Sequence, residues 1–199
     1  AKKYKLYVLS DEAYSDFVID QNEFISFANL DTEKKHTIVI NSISKNFGIS
    51  GWRLGYVITN PNLISELLKI NQHLITCPPT ILEYYIDKHF DEIISITKPQ
   101  IKDLTLRRNQ IAEYMNSLYL EFLPGTTTFY FFVSISKSKL NSEEFCWKLL
   151  QEHHVSTVPG IGYGKSCDRF IRVSIGSESI ERVKKGLKII ADLISSTSN

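Results

Sequence analysis

The feature that most constrains this chain is a lysine placed just past an apolar run. Thr37-Ile38-Val39-Ile40 reads as a buried strand. It continues into Asn41-Ser42-Ile43-Ser44-Lys45, and Arg53 follows between Gly51 and Gly55. Burying an ammonium is costly, so a lysine there is out of place as a structural residue and suits an amine nucleophile. Ser42, Ser44 and Arg53 offer hydroxyl donors and a guanidinium fork, the groups that hold a phosphate. An amine nucleophile beside a phosphate cradle points to a phosphorylated carbonyl cofactor held as a Schiff base. A surface lysine followed by a salt-bridged arginine is the plainer reading; it suits an isolated lysine better than this combination.

The run Ser42-Ile43-Ser44-Lys45, followed by Gly51-Trp52-Arg53-Leu54-Gly55-Tyr56, resembles the cofactor-lysine signature of fold-type I, pyridoxal-phosphate-dependent aminotransferases. The resemblance is to the class I/II branch that includes aspartate and aromatic aminotransferases. It implies that Lys45 forms the Schiff base and that Ser42 and Arg53 bind the phosphate of pyridoxal 5'-phosphate. It extends upstream to Asp11-Glu12-Ala13-Tyr14, at the end of an apolar stretch where sheets of this kind collect ligands. By that match Asp11 pairs with the pyridine nitrogen, keeping the ring able to accept electrons, and Tyr14 hydrogen-bonds the ring oxygen. Taken alone, Asp11 reads as an N-cap or turn aspartate. Glu12 and Asp16 are expected to face solvent.

Near the other end, Phe170-Ile171-Arg172-Val173-Ser174-Ile175 puts an arginine inside an apolar strand, where a charge needs a partner. It resembles the family strand whose arginine binds the substrate's α-carboxylate, which implies that role for Arg172; a planar fork suits a carboxylate bidentately. The alternative is an edge-strand arginine paired with an acid, the reading given to Arg169.

Composition sets the wider bounds. The chain has 199 residues, 43% hydrophobic and 23% charged, with a net charge of +1. That is ordinary for a globular protein and gives no basic surface for nucleic acid or anionic membrane. No apolar run reaches the length of a membrane span. Cys77, Cys146 and Cys167 are odd in number and widely spaced, without a metal-ligand pattern, and are expected to be reduced thiols in a cytoplasmic protein. His153-His154 reads as a polar helix terminus, and no metal is expected.

The fold class expected is α/β. The resemblance implies that residues 1–97 are the C-terminal part of a cofactor-binding large domain with a mainly parallel sheet, and that residues 98–199 form a small α/β domain. Strands are expected over Tyr4–Leu9, Thr37–Ile40, Leu54–Thr59, Thr128–Ser136, Val155–Val158 and Phe170–Ile175. Residues Asp20–Lys35 read as a polar, loop-marked stretch. Asn60-Pro61 opens a helix with Leu63, Leu67, Ile70 and Leu74 on its apolar face. Ile81–Ser95 reads as helix in one or two pieces, and Pro99 as the start of a long helix in which Arg107 and Arg108 lie on a solvated face. Asn141 with Glu144 forms a capping box. The glycine-rich Pro159–Gly164 reads as a flexible loop bordering the site. A final amphipathic helix carries Ile180, Val183, Leu187, Ile190 and Ile194, with a frayed tail from Ser195.

The cofactor lysine stands at position 45, whereas in the family it lies past the middle of a longer chain. The chain is therefore expected to be the C-terminal half of an aminotransferase, inactive by itself. The expected reaction of the complete enzyme is amino-group transfer between an amino acid and a 2-oxo acid. β-Elimination, decarboxylation or a non-catalytic sensing or oligomerisation role are the alternatives. A homodimer is implied, with the turn Thr76–Thr80 either reaching the partner subunit or serving as a plain helix-to-helix turn.

Overall fold

The computed structural model describes residues 1–18 and 24–198. Within the polar stretch Asp20–Lys35, residues 20–23 lie outside the described residues. The chain divides into two compact units, Ala1–Lys102 and Asp103–Asn199.

The first unit is built on a sheet of β1 (Val8–Asp11), β2 (Thr37–Ser42) and β3 (Gly55–Ile58), in the order β1-β2-β3. β1 and β2 run parallel, and β2 and β3 antiparallel. The first ladder begins later than the apolar pattern suggests, because Lys2–Tyr4 forms a single 3-10 turn. Thr37 and Val39 are buried while Ile40 is exposed, so β2 alternates instead of burying both faces. α1 (Phe27–Leu30) starts at Ser26, whose hydroxyl caps Ala28 N at 3.1 Å. α2 (Ile43–Asn46) follows β2 directly.

α3 (Pro61–Leu74) begins as its sequence requires. Pro61 occupies the first turn, and the Asn60 side chain accepts from Leu63 N at 3.1 Å. α4 (Thr80–Ser117) follows, with a kink at His89. Pro99 lies inside α4 and does not open a new helix, and the division between the two units falls within α4.

The second unit contains β4 (Tyr130–Ser134), α5 (Ser142–His153), β5 (Val158–Pro159), β6 (Phe170–Ser174) and α6 (Ile180–Ser196). Its sheet is antiparallel in the order β4-β6-β5, with Arg172 on the central strand opposite Phe132 and Val158. Period-two alternation sends Phe131, Val133, Ile171 and Val173 to one face. There they form a core with Ile111 and Met115 of α4, Phe145 and Leu149 of α5, and Leu187 and Ile190 of α6. Asn141 caps α5 through Glu143 N at 3.0 Å and Glu144 N at 2.9 Å, and Glu144 accepts from Asn141 N at 3.0 Å, completing the capping box. α6 runs to Ser196 and is closed by Thr197, whose hydroxyl donates to Leu193 O at 2.6 Å, so the chain stays helical past Ser195.

Two arginines depart from expectation. Arg108 is 4% exposed and not on a solvated face. It donates to Tyr130 O at 2.6 Å and Gly125 O at 2.8 Å, and its guanidinium lies 4.0 Å from the centre of the Phe131 ring. Arg169 pairs with carbonyls and not with an acid: Leu140 O at 3.0 Å, Ser136 O at 2.9 Å, Ile135 O at 3.3 Å, and Ser138 O. Each satisfies backbone carbonyls that the edge of β4 and the neighbouring loops leave over.

Candidate active site

The parallel register of β1 and β2 brings Asp11 opposite Ile40, and Glu12 N donates to Ile40 O at 2.8 Å. Ser42 lies two residues beyond Ile40, so Asp11 and Ser42 share a face at the carboxyl ends of neighbouring strands. Asp11 Oδ1 accepts from Ala13 N at 3.1 Å, a turn that orients the exposed carboxylate and leaves Oδ2 without a partner among the described residues. Tyr14 follows in that turn, its ring 5.8 Å from Phe17 and edge-on to it.

At Ser42 the strand becomes a helix. Ser42 Oγ accepts from Ser44 N at 3.2 Å, which caps α2 and leaves the hydroxyl proton free to be donated elsewhere. One turn of helix then places the half-buried Lys45 close behind the Ser42 edge. Asn46, next to Lys45, is buried with its Oδ1 unpartnered among the described residues.

β3 closes the edge from the other side. Gly55 stands opposite Ser42, and a Cβ there would come within 2.8 Å of Asn41 O, so the approach requires glycine. Just before it, Arg53 adopts φ 55°, a left-handed conformation uncommon for a non-glycine residue and a mark of functional sites. Its Nη1 donates to Ser50 O at 2.8 Å, which occupies one of five N–H donors. Edge-on contacts of Phe47 with Phe90 and of Trp52 with Tyr85, both at 5.5 Å, hold this loop to α4.

Two acids behind the edge were legible only as surface residues. Glu12 is 7% exposed and does not face solvent. Its Oε1 accepts from Ser10 Oγ at 3.1 Å, Ser26 Oγ at 3.0 Å and Phe27 N at 3.1 Å, tying α1 to the end of β1. Asp16 is half-buried; burial pushes its carboxyl up, against the pull of Lys98. Burial, followed by the charges of Asp16 and Glu12, also pushes the Tyr56 phenol up and keeps it neutral.

In the second unit, Arg172 has a different setting. Its guanidinium carbon lies 4.3 Å from the Tyr130 ring centre and 5.7 Å from that of Tyr163. Its Nε is buried without a hydrogen-bond partner among the described residues. The loop that carries Tyr163 is turned and anchored: Gly160–Tyr163 and Lys165–Cys167 are 3-10 turns. A Cβ at Gly160 would collide with Cys167 O at 2.0 Å and Phe170 O at 2.4 Å.

A family model for class I and II aminotransferases matches residues 1–190. The chain belongs to the class I and II aminotransferases. It is 34% identical over 189 residues to the (5-formylfuran-3-yl)methyl phosphate transaminase of Methanocaldococcus jannaschii, covering 94% of this chain and 50% of that one. It is 31% identical over 196 residues to an aspartate aminotransferase of Pyrococcus abyssi, with the same two coverages of 94% and 50%. Among solved structures, the aromatic aminotransferase of Pyrococcus horikoshii superposes with a TM-score of 0.87 at 28% identity, over 98% of this chain and 52% of that one. The chain spans about half the length of the curated relatives it matches.

The aminotransferases of this family use pyridoxal 5'-phosphate. The residue types present fit it: an exposed carboxylate and a hydroxyl with its proton to give lie at the carboxyl ends of β1 and β2, and a lysine amine and a guanidinium with unspent donors lie in the segments that join β2 to β3. The sequence does not single out Asn46, Tyr130 or Tyr163, and it leads to Glu12 being expected at the surface. For Tyr130 the signal was there in the alternation of Tyr130-Phe131-Phe132-Val133, which puts Tyr130 and Arg172 on the same face of the sheet.

Proposed function

We propose that this chain is the cofactor-lysine-bearing part of a pyridoxal-phosphate-dependent aminotransferase that moves an amino group between an amino acid and a 2-oxo acid. The observation that supports the proposal is the register that sets Asp11 beside Ile40, which puts Asp11 and Ser42 on one face at the carboxyl ends of β1 and β2, with Lys45 three residues beyond Ser42. Residues 1–97 belong to the cofactor-binding domain and residues 98–199 to the small domain. The complete enzyme is a cytoplasmic homodimer.

When bound, the cofactor supplies an electron sink for the substrate's Cα. Lys45 Nζ would hold the cofactor covalently, and the same amine would carry the proton to and from the substrate Cα. The Asp11 carboxylate would keep a proton on the cofactor's ring nitrogen, and the Tyr14 hydroxyl would donate to its ring oxygen. Ser42 Oγ and the free N–H groups of Arg53 hold the phosphate. The guanidinium of Arg172 takes the substrate's α-carboxylate.

The test is to incubate the holoenzyme with a panel of amino acids, with and without a 2-oxo acid. Sustained turnover that requires the 2-oxo acid and yields the matching amino acid is expected. Sustained turnover without it, releasing ammonia or carbon dioxide, would replace transamination with elimination or decarboxylation.

A further inference from the structure

The setting of Arg172 differs from that of every other arginine in the described residues. Arg53, Arg108 and Arg169 donate to backbone carbonyls, and Arg107 and Arg182 pair with carboxylates. Arg172 has neither; its contacts are the rings of Tyr130 and Tyr163. A partly buried cation at the centre of a sheet needs compensation. An aromatic face supplies it through the ring quadrupole. Unlike an acid or a carbonyl, a ring consumes no N–H donor. The guanidinium plane is therefore held while its hydrogen-bonding edge remains unspent.

The backbone that carries each ring is fixed independently of Arg172. Arg108 Nη1 grips Tyr130 O at 2.6 Å, and Tyr130 N donates to Thr128 Oγ1 at 3.2 Å. The Tyr163 loop is pinned where Ile161 N donates to Ser142 Oγ at 3.1 Å, and Ser142 Oγ in turn donates to Asp168 Oδ1 at 2.6 Å. The Tyr163 ring also stands perpendicular to Phe132 at 5.6 Å.

We infer that Tyr130 and Tyr163 are positioning residues for the substrate carboxylate: they hold Arg172 by its π-facing plane so that its donors stay free for the ligand. The inference rests on the reading of Arg172 as the carboxylate site. In the holoenzyme, Tyr130→Leu is expected to raise KM for amino acids about five- to thirty-fold, the range of a partly desolvated cation–π contact. Its kcat and cofactor absorbance should stay within about twofold, because uniform binding is what is lost. Tyr130→Phe keeps the ring and should restore KM. Tyr163→Leu should raise KM less, its ring being farther away, and serves as the second probe should Tyr130→Leu fail to fold.

Unchanged KM in both leucine variants, with Arg172→Ala still raising it, would overturn the positioning role and leave the carboxylate site standing. Tyr130→Phe as impaired as Tyr130→Leu would also overturn it, since the hydroxyl and not the ring would then act. Unchanged KM in Arg172→Ala would remove the carboxylate site itself and this inference with it.

Discussion

α3 and α6 carry the same kind of sequence signal and meet opposite fates. Both have an apolar stripe at helical spacing. α6 buries Val183, Leu187, Ile190, Leu193 and Ile194 against the sheet of the second unit. α3 leaves Leu67 36%, Ile70 59% and Leu74 75% exposed. The sheets repeat the contrast. One face of β4-β6-β5 is sealed in a continuous core, whereas Leu9, Ile40, Val57 and Ile58 of β1-β2-β3 are exposed. An amphipathic pattern tells which face seeks cover; whether the cover is present is a property of the tertiary surroundings. The second unit has a continuous apolar core, whereas the first combines a small buried set, Phe17, Val39, Ile43 and Leu54, with polar ties such as those of Glu12.

The sharpest way to break this contrast is a pair of truncations. Leu149→Ala, in the second unit's core, is expected to cost about 2–5 kcal/mol. Leu74→Ala, on the exposed stripe of α3, should stay within about 0.5 kcal/mol. Urea unfolding followed by circular dichroism measures both, and similar costs would dissolve the distinction. Next in size is Arg108→Met, which removes two hydrogen bonds to carbonyls and leaves them unpaired, at roughly 1–3 kcal/mol. A shift confined to the unfolding transition of the second unit is expected.

The smallest effect concerns the thiols. Cys77 is exposed in the first unit and Cys146 buried in the second. Burial pushes the Cys146 thiol up, against a weaker opposing pull from the Thr157 hydroxyl at 3.1 Å. A pKa raised by folding means that the folded state keeps its proton where the unfolded chain has lost it. This contribution is whole below the ordinary thiol range and fades as pH rises through the folded value. An alkylating agent at mildly alkaline pH should therefore label exposed Cys77 in the folded protein and leave Cys146 unlabelled until the unit unfolds. Alkylation of Cys146 at the rate of Cys77 in the folded protein would contradict the burial.

Much of this was legible in the residues. The stretch from Ser42 to Tyr56 points to the family, to which the chain belongs, since its residue types answer to chemistry and not to packing. The Asn60-Pro61 start, the Asn141–Glu144 box and the α6 stripe are local rules, and the structure follows them. The rest depends on distant partners that a local pattern cannot name. Glu12 looks like a surface acid until Ser26 and Phe27 fold back onto it. Arg108 looks solvated until the carbonyls of Gly125 and Tyr130 arrive. Pro99 reads as a helix start because proline suits a first turn, yet it sits inside α4.

Lys45 is proposed as the covalent anchor of the cofactor, and borohydride trapping tests that role directly. The holoenzyme is reduced with borohydride, digested, and its peptides mapped by mass. The mass of the reduced cofactor on the peptide containing Lys45, and its loss in Lys45→Ala, is the result expected. A label on another lysine, or one that persists in Lys45→Ala, would contradict the assignment.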